Sequence, residues 1–118
     1  MKSRDMKLSH RLDAIQGKCA VSDITMFELY AGVDGYETPK QRLDIIEGFI
    51  ARVSILPFNT AAAHIAGPLR YKLRAKGEMI GAYDILIAAT ALANGLVLMT
   101  NNLREFKRVV ELKVERWG

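Results

Sequence analysis

Along this chain, apolar residues recur at helical spacing in some stretches and form short unbroken runs in others. Helical spacing that starts at a capping residue or stops at a glycine predicts helices, and the apolar runs predict buried strands. The predicted helices cover residues 5–15, 24–31, 39–50, 60–76 and 82–94, with a helical turn at 103–107, and the predicted strands cover 19–22, 53–58, 96–100 and 113–117.

The order of these elements predicts an α/β sandwich with a mostly parallel sheet, because strands and helices alternate. The run Leu96–Met99 is entirely apolar, which is typical of a strand covered on both faces. No repeat, linker or low-complexity segment interrupts the sequence, so we expect one domain over residues 1–118. In such a sheet the ligand site lies at the carboxyl ends of the strands.

Charge and cysteine content narrow the class of protein. Lys and Arg total 17 against 13 Asp and Glu, and the net charge of +4 slightly favours an anionic partner. The single Cys19 excludes an internal disulfide and a zinc ribbon, and it fits a reducing cytoplasm. Ile85 to Leu103 carries no charge, but Asn94-Gly95 divides this stretch. The division favours two buried elements and a turn over a membrane span.

Polar residues that follow the predicted strands are the candidates for chemistry. Glu28 lies in the helix after strand 19–22, Asp84 opens the helix 82–94, and Glu105 follows strand 96–100. Ordinary structural explanations exist for each: Glu28 and Glu105 as surface charges, and Asp84 as a favourable charge at a helix N-terminus. The structural explanation is weakest for Asp84, because the helix 82–94 carries no other charged residue.

Three strings of the sequence have to be considered together. They are Ser22-Asp23-Ile24-Thr25-Met26-Phe27-Glu28-Leu29-Tyr30-Ala31-Gly32, Tyr83-Asp84-Ile85-Leu86-Ile87-Ala88-Ala89 and Thr100-Asn101-Asn102-Leu103-Arg104-Glu105-Phe106. In this order they resemble the motifs of PIN-domain ribonucleases, and the most similar subgroup is the VapC-type toxins of bacterial toxin–antitoxin pairs. The resemblance extends from about residue 4 to Trp117.

This resemblance implies a PIN-like three-layer sandwich and a phosphodiesterase that cleaves RNA with Mg²⁺ or Mn²⁺. Such hard cations prefer oxygen ligands, lower the pKa of an attacking water and neutralise charge on the phosphate. On the family pattern, Glu28 and Asp84 match the second and third acidic positions, and Glu105 is the candidate for the fourth.

Neutral residues complete the site that the resemblance implies. Asn102 occupies a position where many PIN domains have Asp. Thr100 and Asn101 would orient water or phosphate through neutral hydrogen bonds, although the Asn pair also suits a simple turn. The implied catalytic set is Glu28, Asp84, Thr100, Asn101, Asn102 and Glu105, with the three carboxylates as metal ligands.

Four basic residues support a nucleic-acid partner. Arg70 and Arg74 are one helical turn apart, as are Lys72 and Lys76. These side chains could neutralise RNA phosphates, and a solvated helix end near the negative pole of its dipole explains them equally well.

The start of the sequence departs from the family pattern. Family members begin with a strand ending in Asp-Thr-Asn, which lies at the centre of the sheet and supplies a metal ligand. Met1-Lys2-Ser3-Arg4 resembles the stretch after that motif, so we expect the first, central strand to be absent. Either the start codon is assigned too late or the product is truncated. On this interpretation we expect the 118-residue form to be poorly soluble or to fold only with a partner, and to cleave RNA more slowly than an extended form by orders of magnitude.

Two functional hypotheses follow. The first is a cytoplasmic ribonuclease toxin that cleaves RNA, with tRNA as the class of substrate, and that binds a cognate antitoxin and forms a homodimer without membrane association. The second is a catalytically inactive, truncated PIN domain that binds only an antitoxin or its own copy.

The first hypothesis makes a geometric prediction about the three acidic residues. The carboxyl groups of Glu28, Asp84 and Glu105 are expected to face one cleft at the carboxyl ends of the strands. Crowding of like charges is expected to raise the pKa of at least one of them when no cation is bound.

Overall fold

A computed structural model of the protein describes residues 20–33, 38–100 and 102–116. The chain divides into two compact units, Met1–Leu56 and Pro57–Gly118. The predicted helix over 5–15, together with Cys19, Asn101 and Trp117, lies outside the described residues. The prediction of a single domain over 1–118 stays a prediction, as does the absence of a central strand.

Short strands and helices alternate along the described residues in the predicted order. One parallel pair of strands lies in each unit, β1 with β2 and β3 with β4, which confirms the predicted α/β class. The elements are β1 (Ala20–Ser22), α1 (Asp23–Ala31), α2 (Pro39–Ile50), β2 (Ser54–Leu56), α3 (Thr60–Ala75), α4 (Ala82–Ala93), β3 (Leu98–Thr100), α5 (Leu103–Phe106) and β4 (Val114–Arg116).

In the first unit, β1 leads directly into α1 through a capping serine. Ser22 Oγ accepts hydrogen bonds from the backbone N–H groups of Ile24 and Thr25, at 3.0 and 3.2 Å, as the sequence predicts. Within α1, Met26 is buried whereas the neighbouring Phe27 is 53% exposed. Adjacent positions lie about 100° apart around a helix, so these two side chains lie on different faces.

In the second unit, α3 begins and ends with the predicted capping residues. Asn59 Oδ1 accepts a hydrogen bond from the backbone N–H of Ala62 at 3.0 Å. The helix continues through Pro68. At its end Gly77 adopts a φ of +69°, and the N–H of Glu78 bonds to the carbonyl of Leu73 at 2.8 Å. This pattern is a Schellman cap, which favours glycine because of the positive φ.

The long uncharged stretch of the sequence forms a helix, a turn and a strand. After α4, Gly95 adopts a φ of +62°, and the N–H of Leu96 bonds to the carbonyl of Ala91 at 3.0 Å. β3 follows at Leu98, so the predicted division of this stretch is confirmed. Within the part of the chain that the structure describes, no helix is both long and apolar enough to cross a membrane.

Candidate active site

Two of the three predicted carboxylates come together in the second unit. Asp84 lies in the first turn of α4, and Glu105 lies in α5, just after β3. Both side chains are partly buried. They are 21 positions apart in sequence, yet both carboxyl groups lie within 4 Å of one point, the position that a Cβ atom of Gly81 would occupy.

Gly81, the residue that caps α4, lies against both carboxyl groups. Its backbone N–H donates a hydrogen bond to Oε1 of Glu105, with an N···O distance of 2.5 Å. A Cβ atom at this position would lie 3.2 Å from Oδ2 of Asp84 and 3.5 Å from Oε1 of Glu105. The backbone of the cap and the two carboxyl groups therefore form one compact cluster at the N-terminus of α4.

The loop between β3 and α5 supplies a further donor to this cluster. The side-chain amide of Asn102 donates to Oε2 of Glu105 at 2.7 Å. Thr100 Oγ1 accepts a hydrogen bond from the backbone N–H of Asn102 at 3.0 Å. Thr100 therefore stabilises the loop, and Asn102 orients the carboxylate of Glu105. Of these two predicted residues, Asn102 contacts Glu105 directly and Thr100 contacts Asn102.

A positive charge lies on the other side of Glu105. The Arg108 guanidinium donates a hydrogen bond to the backbone carbonyl of Met79 at 2.6 Å, and its charge acts on the Glu105 carboxyl. Met79 is two residues before Gly81. Arg108 thus anchors the segment of backbone that carries the cap of α4.

The pKa of Glu105 is lowered, and the prediction that crowding raises the pKa of at least one of the three acidic residues stays a prediction. The backbone N–H of Gly81 is the largest cause. Partial burial opposes it, while the Asn102 amide, the hydrogen bond with Asp84 and the Arg108 charge also lower the pKa. Hydrogen bonds to the charged form outweigh partial burial here, so the surroundings of Glu105 favour its charged form.

The donor atoms of this cluster fit Mg²⁺ or Mn²⁺. Asp84 and Glu105 offer carboxylate oxygens, and Mg²⁺ is usually held by one or two carboxylates with water and phosphate oxygens completing its shell. No group of three or more His, Cys, Asp or Glu side chains suited to a metal occurs among residues 20–33, 38–100 and 102–116. The cluster therefore presents two acidic side chains rather than three.

Glu28 belongs to the first unit. It lies near the middle of α1, and its side chain is exposed. Its predicted convergence with Asp84 and Glu105 stays a prediction. Asn101 lies outside the described residues, so its predicted role stays a prediction as well.

The four basic residues at the end of α3 do not form one patch. All are exposed, but positions two apart lie about 200° apart around a helix. Arg70 and Arg74 therefore share one flank of α3, and Lys72 and Lys76 share the opposite flank. Lys72 also forms an ion pair with Glu111, with Nζ 3.2 Å from Oε1. The RNA-binding role predicted for these residues stays a prediction.

Two residues of this cluster, Gly81 and Arg108, are absent from the catalytic set that the sequence predicts. Gly81 acts through a backbone N–H, which no side-chain pattern encodes. A glycine at an N-cap, where Ser, Thr, Asp or Asn is usual, is the one local indication. Arg108 lies outside the three family-like strings and reaches the site through a carbonyl group 29 positions away.

Comparison with known proteins gives the family. Residues 2–112 match the PIN domain family. This chain therefore belongs to the PIN domain family.

Within that family, the similar curated proteins carry VapC names. A tRNA(fMet)-specific endonuclease VapC from Shigella flexneri is 37% identical over 100% of this chain and 89% of its own length. Ribonuclease VapC2 from Haemophilus influenzae is 40% identical over 99% of this chain and 89% of its own length. At these identities and coverages, the chain is a VapC-type PIN domain.

Solved structures of VapBC complexes show the same fold. The chain is 38% identical to one in DNA-bound VapBC from Salmonella typhimurium, with a TM-score of 0.85 over 95% of this chain and 85% of that chain. A chain of VapBC-1 from nontypeable Haemophilus influenzae gives 31% identity and a TM-score of 0.82 over 99% of this chain and 89% of that chain. The predicted PIN-like α/β fold is confirmed.

Proposed function

We propose that this chain is a metal-dependent endoribonuclease toxin that cleaves RNA and is neutralised by a cognate antitoxin. The observation that carries the proposal is the cluster at the N-terminus of α4, where the carboxyl groups of Asp84 and Glu105 both lie beside Gly81. Two adjoining carboxyl groups are costly for a protein to keep together unless they bind a cation or a proton.

Within this proposal, each side chain of the cluster has a defined task. Asp84 and Glu105 hold Mg²⁺ or Mn²⁺, with Glu28 as a further acidic ligand. When bound, the cation lowers the pKa of the attacking water and neutralises charge on the cleaved phosphate. Asn102 orients Glu105 through its amide. Thr100 fixes the loop, and Asn101 hydrogen-bonds to water or phosphate.

The substrate and partners follow from the relatives. The Shigella flexneri relative is named as a tRNA(fMet)-specific endonuclease, which supports tRNA as the class of substrate. VapBC complexes are the solved structures that the chain resembles, which supports binding to an antitoxin. The proposal includes a homodimer, and the single Cys19 supports a cytoplasmic location.

Asp84→Asn tests the proposal directly. The substitution keeps the size and polarity of the side chain but removes the charge that a cation needs. Cleavage of a tRNA pool by the purified protein with Mg²⁺ should fall by about 100-fold or more, and excess chelator should have the same effect. Circular dichroism and the melting temperature should remain close to those of the unsubstituted protein.

Asp44→Asn is the matched control. Asp44 is exposed on α2, outside the cluster, so the same chemical change should leave cleavage unaltered. Equal cleavage by Asp84→Asn and the unsubstituted protein, or cleavage that resists chelator, would contradict the metal nuclease. Absence of cleavage by the unsubstituted protein would instead favour the inactive interaction module.

A further inference from the structure

Two side chains of the cluster, Glu105 and Arg108, bond to one short segment of backbone, residues 79–81. Gly81 donates its N–H to Glu105, and the carbonyl of Met79 accepts a hydrogen bond from Arg108. The carbonyl of Gly81 accepts the N–H of Ile85 at 3.1 Å, which is the first hydrogen bond of α4. Hydrogen bonds therefore hold the segment at Met79 and at Gly81, and the N–H of Gly81 is directed at the carboxylate of Glu105.

We propose that Gly81 is a positioning residue of the two-carboxylate site, held in place by Arg108. This inference rests on the proposed function and adds the part of the chain that sets the distance between the two ligands. The N–H of Gly81 fixes one oxygen of Glu105. The absence of a side chain at Gly81 leaves room for the carboxyl group of Asp84, which a Cβ atom would approach to 3.2 Å.

The conformation of Gly81 does not itself require glycine. Its φ of −57° and ψ of 150° lie in the extended region that any L-residue adopts. Glycine at this position cannot cap α4 with a side chain, although a capping side chain would stabilise the helix. The need for glycine at this position therefore comes from the space beside the carboxyl groups and not from backbone strain.

Gly81→Ala and Gly81→Pro separate the two contributions. Alanine keeps the N–H and adds only the Cβ atom, whereas proline also removes the N–H, and its fixed φ is compatible with this position. Groups that orient metal ligands typically contribute 10- to 100-fold in metal affinity or activity. We expect about a 10-fold loss of Mn²⁺ affinity for Gly81→Ala and about a 100-fold loss for Gly81→Pro.

The measurements are the concentration of free Mn²⁺ by electron paramagnetic resonance, and kcat and KM for RNA cleavage. Loss of positioning should lower kcat and leave KM within about 2-fold, since the substitution does not remove an RNA contact. Gly48→Ala is the matched control, because a Cβ atom at Gly48 meets nothing within 4 Å. Unaltered Mn²⁺ affinity and kcat in folded Gly81→Ala and Gly81→Pro would overturn the inference.

A second measurement needs neither metal nor activity. In the metal-free protein, the amide proton resonance of Gly81 should lie downfield because of its hydrogen bond to Glu105, and Glu105→Ala should move it upfield. Arg108→Gln should move it in the same direction, since it releases the carbonyl of Met79. Glu111→Ala is the control, because Glu111 pairs with Lys72 instead. An unchanged Gly81 resonance in Glu105→Ala would overturn the inference even if the glycine variants fail to fold.

Glu105→Ala also separates this inference from the proposed function. If it alters neither Mn²⁺ affinity nor cleavage, then Glu105 is not a ligand and the proposed function fails at that residue. If it abolishes both while Gly81→Pro changes neither, the proposed function stands and only the positioning role of Gly81 is wrong.

Discussion

At the scale of single residues, two glutamates close in sequence, Glu105 and Glu111, have different surroundings. Glu105 accepts hydrogen bonds from a backbone N–H and an amide, and these lower its pKa. Glu111, six positions later, forms an exposed ion pair with Lys72. Exposed pairs of this kind contribute little to stability. The first glutamate is therefore fixed by its neighbours, and the second forms only an exposed ion pair.

The flanks of α3 give a prediction about RNA binding at this scale. Each phosphate contact that is lost should lower the slope of log affinity against log salt by about 0.7 for single-stranded RNA. We expect Arg70→Gln with Arg74→Gln to lower this slope more than Lys72→Gln with Lys76→Gln, because Lys72 already pairs with Glu111. Salt titrations of RNA binding, followed by fluorescence anisotropy, provide the measurement. A larger effect of the lysine pair would contradict this prediction.

At the scale of an element, α4 has a glycine at each end for different reasons. Gly81 at its start has ordinary backbone angles and lies against the carboxyl groups. Gly95 after its end has a φ of +62°, and a Cβ atom there would meet nothing within 4 Å. The first position is limited by space and the second by backbone conformation.

Glycines with different backbone conformations predict stability changes of opposite sign for the same substitution to alanine. Gly95→Ala should lower the free energy of unfolding by about 1 kcal/mol, because alanine disfavours a positive φ. Gly48→Ala, inside α2 and with open space around it, should raise that free energy by about 0.5–1 kcal/mol. Urea unfolding of the two variants measures both values. The same sign for both would contradict the assigned backbone roles.

At the scale of the whole molecule, burial is uneven along the described residues. α4 contains six buried residues among its 12, whereas α1 contains one among nine. Local opening costs more free energy where more apolar surface is buried. We therefore expect the helix that carries Asp84 to open locally less often than α1.

Hydrogen exchange should show this difference. We expect the amides in the middle of α4 to exchange at least about 10-fold more slowly, relative to unstructured peptide, than those in the middle of α1. Amide exchange followed by nuclear magnetic resonance or mass spectrometry measures both helices in one experiment. Faster exchange in α4 than in α1 would show that the buried residues do not set local stability.

Much of the local structure could be predicted from the sequence, since its causes are local. Ser22 and Asn59 cap helices through bonds to N–H groups two or three positions away. Gly77 and Gly95 end helices because few other residues accept a positive φ. The apolar faces were less predictable. On α1, packing buries Met26 and leaves the neighbouring Phe27 53% exposed, which helical spacing alone does not decide.

The sequence by itself determined the order of elements, the family and the acidic residues that could carry chemistry, because motifs and periodicity are properties of neighbouring positions. Only the tertiary structure decided that Asp84 and Glu105 meet, that Gly81 holds one of them, and that Lys72 pairs with Glu111. These contacts join positions 21 to 39 residues apart or pass through backbone atoms that every residue has. No local pattern encodes such a contact, since it exists only after the chain has folded.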